Sequence, residues 1–150
     1  MIARDTIERF SPITPASRRL EKLAHEVAAF DHRDSDADCR LTWLVNAWNA
    51  GAGSQELADL IEGWIGEHYL EFEAAFEKIQ AVRCLEYLQR GRRICGEGIL
   101  GDERVRADCV EKNYPAIRAL FREYRSLISE EAAECYFAYM LGTRKRGQAE

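Results

Sequence analysis

Residues 55–79 read QELADLIEGWIGEHYLEFEAAFEKI, and this stretch decides the fold. Placed at about 100° per residue, Leu57, Ala58, Ile61, Trp64, Ile65, His68, Tyr69, Phe72, Phe76 and Ile79 fall on one arc. Glu56, Asp59, Glu67, Glu71, Glu73 and Glu77 occupy the opposite arc. The spacing predicts one helix with a buried apolar face that includes His68 and an exposed acidic face. Gly63 and Gly66 each weaken it by roughly 1 kcal/mol relative to alanine, so a kink is expected near Gly66.

Outward from this stretch the helical language continues. Upstream, Leu20, Leu23, Val27 and Phe30 carry a helix expected over Pro15 to Phe30, and Leu41, Leu44, Val45 and Trp48 line one side of another, over Asp38 to Ala50. Downstream, apolar positions run through Val82, Leu85 and Leu88 to Gly91, where a glycine-rich loop, Gly91 to Gly101, is expected. A helix around Asp102 to Lys112 follows, then one opened by Pro115 and bearing Ile117, Leu120, Phe121, Tyr124 and Ile128. The last is expected over Glu130 to Leu141, capped by Ser129 and released at Gly142. With no strand-like alternation and no internal repeat, the chain reads as all-α, an antiparallel bundle of about five to six helices. Residues 1–150 are expected to form one domain, with 1–14 and 142–150 as flexible ends.

Charge and cysteine narrow the function classes. The net charge of -5 conceals a deficit confined to residues 31–80, which carry three bases and eleven acids. An acidic centre repels nucleic-acid phosphates and attracts basic protein surfaces, so a protein partner is expected and nucleic acid is not. Arg83, Arg90, Arg92, Arg93 and the tail Arg144, Lys145 and Arg146 are expected to offset acids within the bundle. Five scattered cysteines with no Cys-x-x-Cys pair read as reduced thiols, and no apolar run reaches the ~18 residues of a membrane span, so a cytoplasmic, soluble protein is expected.

The small motifs fail on context. Gly96-x-Gly98-x-x-Gly101 has the glycines of a dinucleotide fingerprint but follows a helix, where the fingerprint needs a strand. Asp34, Asp36 and Asp38 match the opening of a calcium loop, yet Cys39 stands where glycine belongs and Val45 where a bidentate glutamate belongs. A turn that caps the second helix is the simpler reading. Glu130, Glu131 and Glu134 spell the EExxE of helical nucleotide pyrophosphohydrolases without its second acidic motif, and Arg19 with His25 matches the Arg/His pair of helical HEPN ribonucleases only loosely. Histidine with carboxylate supplies the remaining option, a small metal-binding or hydrolytic bundle using His25 and His68 with Glu21 and Glu71. No nucleophile, complete metal set or cofactor box is present to support it.

One resemblance gives a direction. Leu60-Ile61-Glu62, five residues, then His68-Tyr69-x-x-Phe72-Glu73 resembles the L-V-D, five residues, H-F-x-x-Y-E pattern of the Rsd/AlgQ family of anti-sigma regulators. The segment His25-Glu26-Val27-Ala28-Ala29-Phe30-Asp31 is similar to another part of those proteins, and Glu130-Glu131 opens an apolar helix in a comparable place. The chain departs from the family in its first helix and from Gly91 to Asp102. The resemblance implies a four-helix-type bundle that sequesters a sigma factor and has no catalytic residues. The expected function is therefore a non-catalytic protein-interaction module, with Glu56, Asp59, Glu67, Glu71 and Glu73 as its partner contacts. A homo-oligomer or an accessory subunit of a larger complex is the further alternative.

Overall fold

The computed structural model describes residues 2–27 and 36–142. Among these residues there is no strand, and ten α-helices follow one another: α1 (Arg4–Glu8), α2 (Ala16–Val27), α3 (Ala37–Gly51), α4 (Leu57–Glu62), α5 (Trp64–Glu67), α6 (Tyr69–Ile79), α7 (Val82–Cys95), α8 (Glu103–Lys112), α9 (Tyr114–Ile128) and α10 (Glu131–Met140). A 3-10 turn, Gly96–Leu100, joins α7 to α8. The all-helical class stands, while the count exceeds the five to six expected.

Part of the excess comes from the deciding stretch itself, and the rest from α1 and from a separate α7. The single helix expected over 55–79 is three helices, interrupted at Gly63 (φ -100°, ψ -140°) and at His68 (φ -126°, ψ 27°). The expected kink at Gly66 is instead a buried close approach. A Cβ there would lie 1.8 Å from the Ile61 carbonyl oxygen and 2.4 Å from Arg106 Nε. Arg106, 4% exposed, donates from Nε to the Ile61 carbonyl at 2.8 Å and from Nη1 to the Gly101 carbonyl at 2.9 Å. Its guanidinium thus satisfies carbonyls left over where α4 and the 3-10 turn end. Gln80, in the left-handed region at φ 62°, then separates α6 from α7.

Leu20, Leu44, Trp48, Leu57, Phe72, Phe76, Tyr87, Ile117 and Tyr136 are among the residues of one buried hydrophobic cluster. Helix α10 packs on α2, α3 and α6, α7 on α6 and α9, and α4 on α8 and α9. Residues 1–14, expected as a flexible end, include α1, whose Ile7 is 1% exposed and belongs to the core. Helix α7 runs through Gly91, where a loop was expected to begin. That residue is buried, and a Cβ on it would meet Tyr69 Oη at 2.8 Å, so glycine there lets α6 and α4 approach the helix.

Carboxylates cap helix starts, both locally and from distant elements. Asp36 caps α3 as the turn reading expects, its Oδ1 accepting from the backbone N–H of Asp38 and Cys39. Asp34 lies outside the described residues. Ser129, expected to cap the last helix, donates instead to the Ser126 carbonyl, and Glu130 is the N-cap residue, with no side-chain bond to its own helix. The first two acids of the EExxE string serve other helices. Glu130 accepts from Ser17 N–H at the start of α2, and Glu131 accepts from the N–H groups of Arg83 and Cys84 at the start of α7. Negative carboxylates thereby face positive helix ends.

Candidate functional site around Trp43

Helix α3 buries Leu41, Leu44, Val45 and Trp48, and the side turned away from the core carries Arg40 and Trp43, three residues apart. Trp43 is 38% exposed, one of few large aromatic side chains left on the surface. The break between α5 and α6 brings His68 against it. The two rings meet edge to face, with centroids 6.1 Å apart at 89°. Arg40 stacks over the indole at 4.7 Å, and the same guanidinium donates from Nε and Nη2 to the two oxygens of Glu71, each at 2.7 Å. His68 Nδ1 completes the ring of contacts, 3.5 Å from Glu71 Oε1.

These four side chains hold one another in place. The hydrogen bonds from Arg40 keep the Glu71 carboxyl below its ordinary range against partial desolvation, with the charge of Arg40 and the proximity of His68 adding to the effect. Glu71 in turn raises Arg40. A shallow depression of about 240 Å³ lies alongside, lined by Glu67, His68, Glu71, Leu70 and Leu100. Leu70 is 51% exposed and Leu100 40%. On its other side Trp43 walls a recess of about 180 Å³ between α2 and α3, where His25, Val27 and Cys39 also stand. The indole thus lines one hollow, and its edge-on partner His68 lines the other.

The five acids expected to form one exposed face divide into two groups. Glu73 is not on an exposed face: it is 8% exposed and accepts twice from Arg92 at 2.8 Å, joining α6 to α7. Glu71 is held by Arg40, and Glu56 accepts from Tyr114 Oη with Arg118 Nε at 3.7 Å. Asp59 and Glu67, together with Glu62, are exposed and form no ion pair among the described residues. Periodicity on one helix sees which residues share an arc; it cannot see arginines arriving from α3, α7 and α9.

His68 also departs from expectation. The arc placed it in the core, whereas its side chain is 35% exposed at the break between two helices. His25 is exposed at the rim of the recess. Among the described residues no group of three or more histidine, cysteine or acidic side chains stands together as a metal site. The constellation offers an exposed aromatic side chain, a stacked cation and two shallow hollows. Sequence reading missed Arg40 and Trp43. Their signal was available as a tryptophan three residues from an arginine on the polar side of an otherwise well-patterned helix.

Comparison of the chain with protein families, with curated proteins and with solved structures finds no match in any of the three. Of the described helices, none is long and apolar enough to cross a membrane.

Proposed function

We propose that this protein is a non-catalytic helical interaction module that docks a basic protein surface, with Trp43 as the anchor. The observation that carries this reading is the posture of Trp43, exposed yet fixed by the Arg40 stack and the His68 edge. Tryptophan and arginine dominate the energetics of protein interfaces, and an anchor already held in place loses little entropy on binding. Beyond His68, Leu70 and Leu100 add exposed apolar surface in the neighbouring depression, and Glu67 supplies negative charge there. Asp59 and Glu62, on α4, add to the field that steers a basic partner. Glu56, Glu71 and Glu73 contribute less than the sequence alone implied, because arginines of this chain already neutralise them.

The most specific version is sequestration of a sigma factor. Its support is the resemblance of Leu60–Glu73 to the anti-sigma pattern, a segment that spans α4 to α6 and contains both Glu67 and His68. Titration of a purified bacterial primary sigma factor into the full chain tests it, at two salt concentrations. Binding that Trp43→Ala weakens by about tenfold or more, and whose salt dependence falls in the triple variant Asp59→Lys, Glu62→Lys, Glu67→Lys, supports the reading. Absence of binding at micromolar concentrations removes the sigma version. A recovered partner whose affinity and salt dependence ignore all four substitutions removes the docking surface itself.

A further inference from the structure

Two of the five thiols meet across the glycine-rich turn. Cys95 ends α7, Cys109 lies in α8, and the turn Gly96–Leu100 folds the chain back between them. The Cys109 thiol donates to the Cys95 carbonyl oxygen at 3.0 Å, which sets its sulfur beside Cys95, close enough to bear on the ionisation of the Cys95 thiol. Gly98 permits this approach, since a Cβ on it would lie 3.3 Å from Cys109 Cβ and 3.6 Å from its sulfur. Access differs between the pair: Cys95 is half-buried and Cys109 buried. The other thiols differ in kind. Cys84 and Cys135 are both buried, and Cys39 is half-buried on α3 in the recess beside Trp43.

We propose that Cys95 and Cys109 are a dithiol redox pair, which a low-molecular-weight disulfide converts to an intramolecular disulfide across the Gly96–Leu100 turn. The more accessible Cys95, as thiolate, attacks one sulfur of the small disulfide and expels one small thiolate. Cys109, as thiolate, then attacks the Cys95 sulfur of the mixed disulfide and expels the second. Two protein thiols lose two electrons and two protons, and one small disulfide becomes two small thiols. Burial, and after it the neighbouring Cys109 thiol, push the Cys95 thiol up to about 12, so the exchange is slow at neutral pH and records sustained oxidation rather than a brief pulse. The bond would tie the end of α7 to α8 and fix the turn that carries Leu100. The chemistry is independent of the docking reading.

The test exposes the reduced full chain to millimolar oxidised glutathione at mildly alkaline pH, followed by acid quenching, alkylation, tryptic digestion and mass spectrometry. Arg104 and Arg106 lie between the two cysteines, so trypsin separates their peptides. The expected result is a linked peptide pair containing Cys95 and Cys109, with the intact chain lighter by two hydrogens and restored by dithiothreitol. In Cys109→Ser the reaction should stop at a glutathione adduct on Cys95. A stable adduct on Cys95 of the unaltered chain, with Cys109 still alkylated after unfolding, would overturn the proposal. So would oxidation confined to Cys39, or a disulfide joining Cys84 to Cys135.

Discussion

Arg106 reaches the Ile61 carbonyl only because residue 66 has no side chain: the Cβ that alanine would add at Gly66 falls 2.4 Å from Arg106 Nε and 1.8 Å from that same carbonyl oxygen. The contact joins α8 to the end of α4 and closes the corner at which α5 begins. Gly66→Ala must therefore move a backbone carbonyl and a buried guanidinium together. A loss of roughly 3 kcal/mol or more is expected from overpacking with a disrupted buried hydrogen bond. Gly53→Ala serves as the control, because its Cβ would meet Ser129 at an ordinary 3.7 Å. Urea denaturation of both variants checks the contrast, and equal midpoints would contradict it.

The Glu73–Arg92 pair yields a second expectation, opposite to the one a solvated glutamate would give. Glu73 is nearly buried while Arg92 keeps substantial solvent contact, so removing the arginine strands a desolvated carboxylate. Arg92→Ala should cost roughly 1–3 kcal/mol, a range discounted for the exposure of Arg92. A double-mutant cycle with Glu73→Gln should show strong coupling between the two positions. Additive losses would place Glu73 in water after all.

Helix α7 begins on a borrowed cap. Glu131 accepts from Arg83 and Cys84 N–H groups at 3.1 and 2.8 Å, from a helix that starts almost fifty residues later in the chain. Glu131→Ala removes both bonds and a negative charge at a positive helix end, with an expected cost of about 1–2 kcal/mol. Hydrogen exchange at Arg83 and Cys84 should quicken in the variant relative to the middle of α7. Unchanged protection there would show that the cap contributes nothing.

Acid should dissolve the Arg40–Glu71 contact. The folded carboxyl titrates below its unfolded value, so the pair adds stability above the unfolded carboxylate range, and that addition is lost as pH falls through the lower, folded value. With both side chains around two-fifths exposed, the contribution is expected to stay under about 1 kcal/mol. Arg40→Gln should therefore differ from the unaltered protein in urea midpoint at neutral pH, and the gap should close on acidification to about pH 3. A gap that persists in acid would locate the role of Arg40 in its stack on Trp43 instead.

Much of the fold was legible because it is local. Leu20, Leu23 and Val27 on α2, or Ile117, Leu120, Phe121 and Tyr124 on α9, are buried as their spacing predicts. Pro115 sits in the first turn of its helix, and Gly142 adopts φ 71° at the exit of α10. The breaks at Gly63 and His68 were not legible, because a wheel assigns an angle to every residue whether or not the backbone keeps turning. Gly66 was read as a weak helix former, and its actual use is spatial.

The candidate site divides along the same line. The sequence marked the acids of α4 to α6, since charge and periodicity are properties of residue order, but the same periodicity placed His68 in the core, where it does not lie. It could not tell that Glu71 meets Arg40 from 31 positions away or that Glu73 meets Arg92 from 19. Nor could it bring Trp43 to His68, because that meeting requires α3 to pack on α6. Residue order by itself determined the helical class, the buried faces and the sign of the central charge, each set by side chains within a turn or two of one another. Which of those charges still face solvent, and which aromatic side chain stands among them, was decided only by tertiary packing, because ion pairs and ring contacts depend on distances between helices that no single helix specifies.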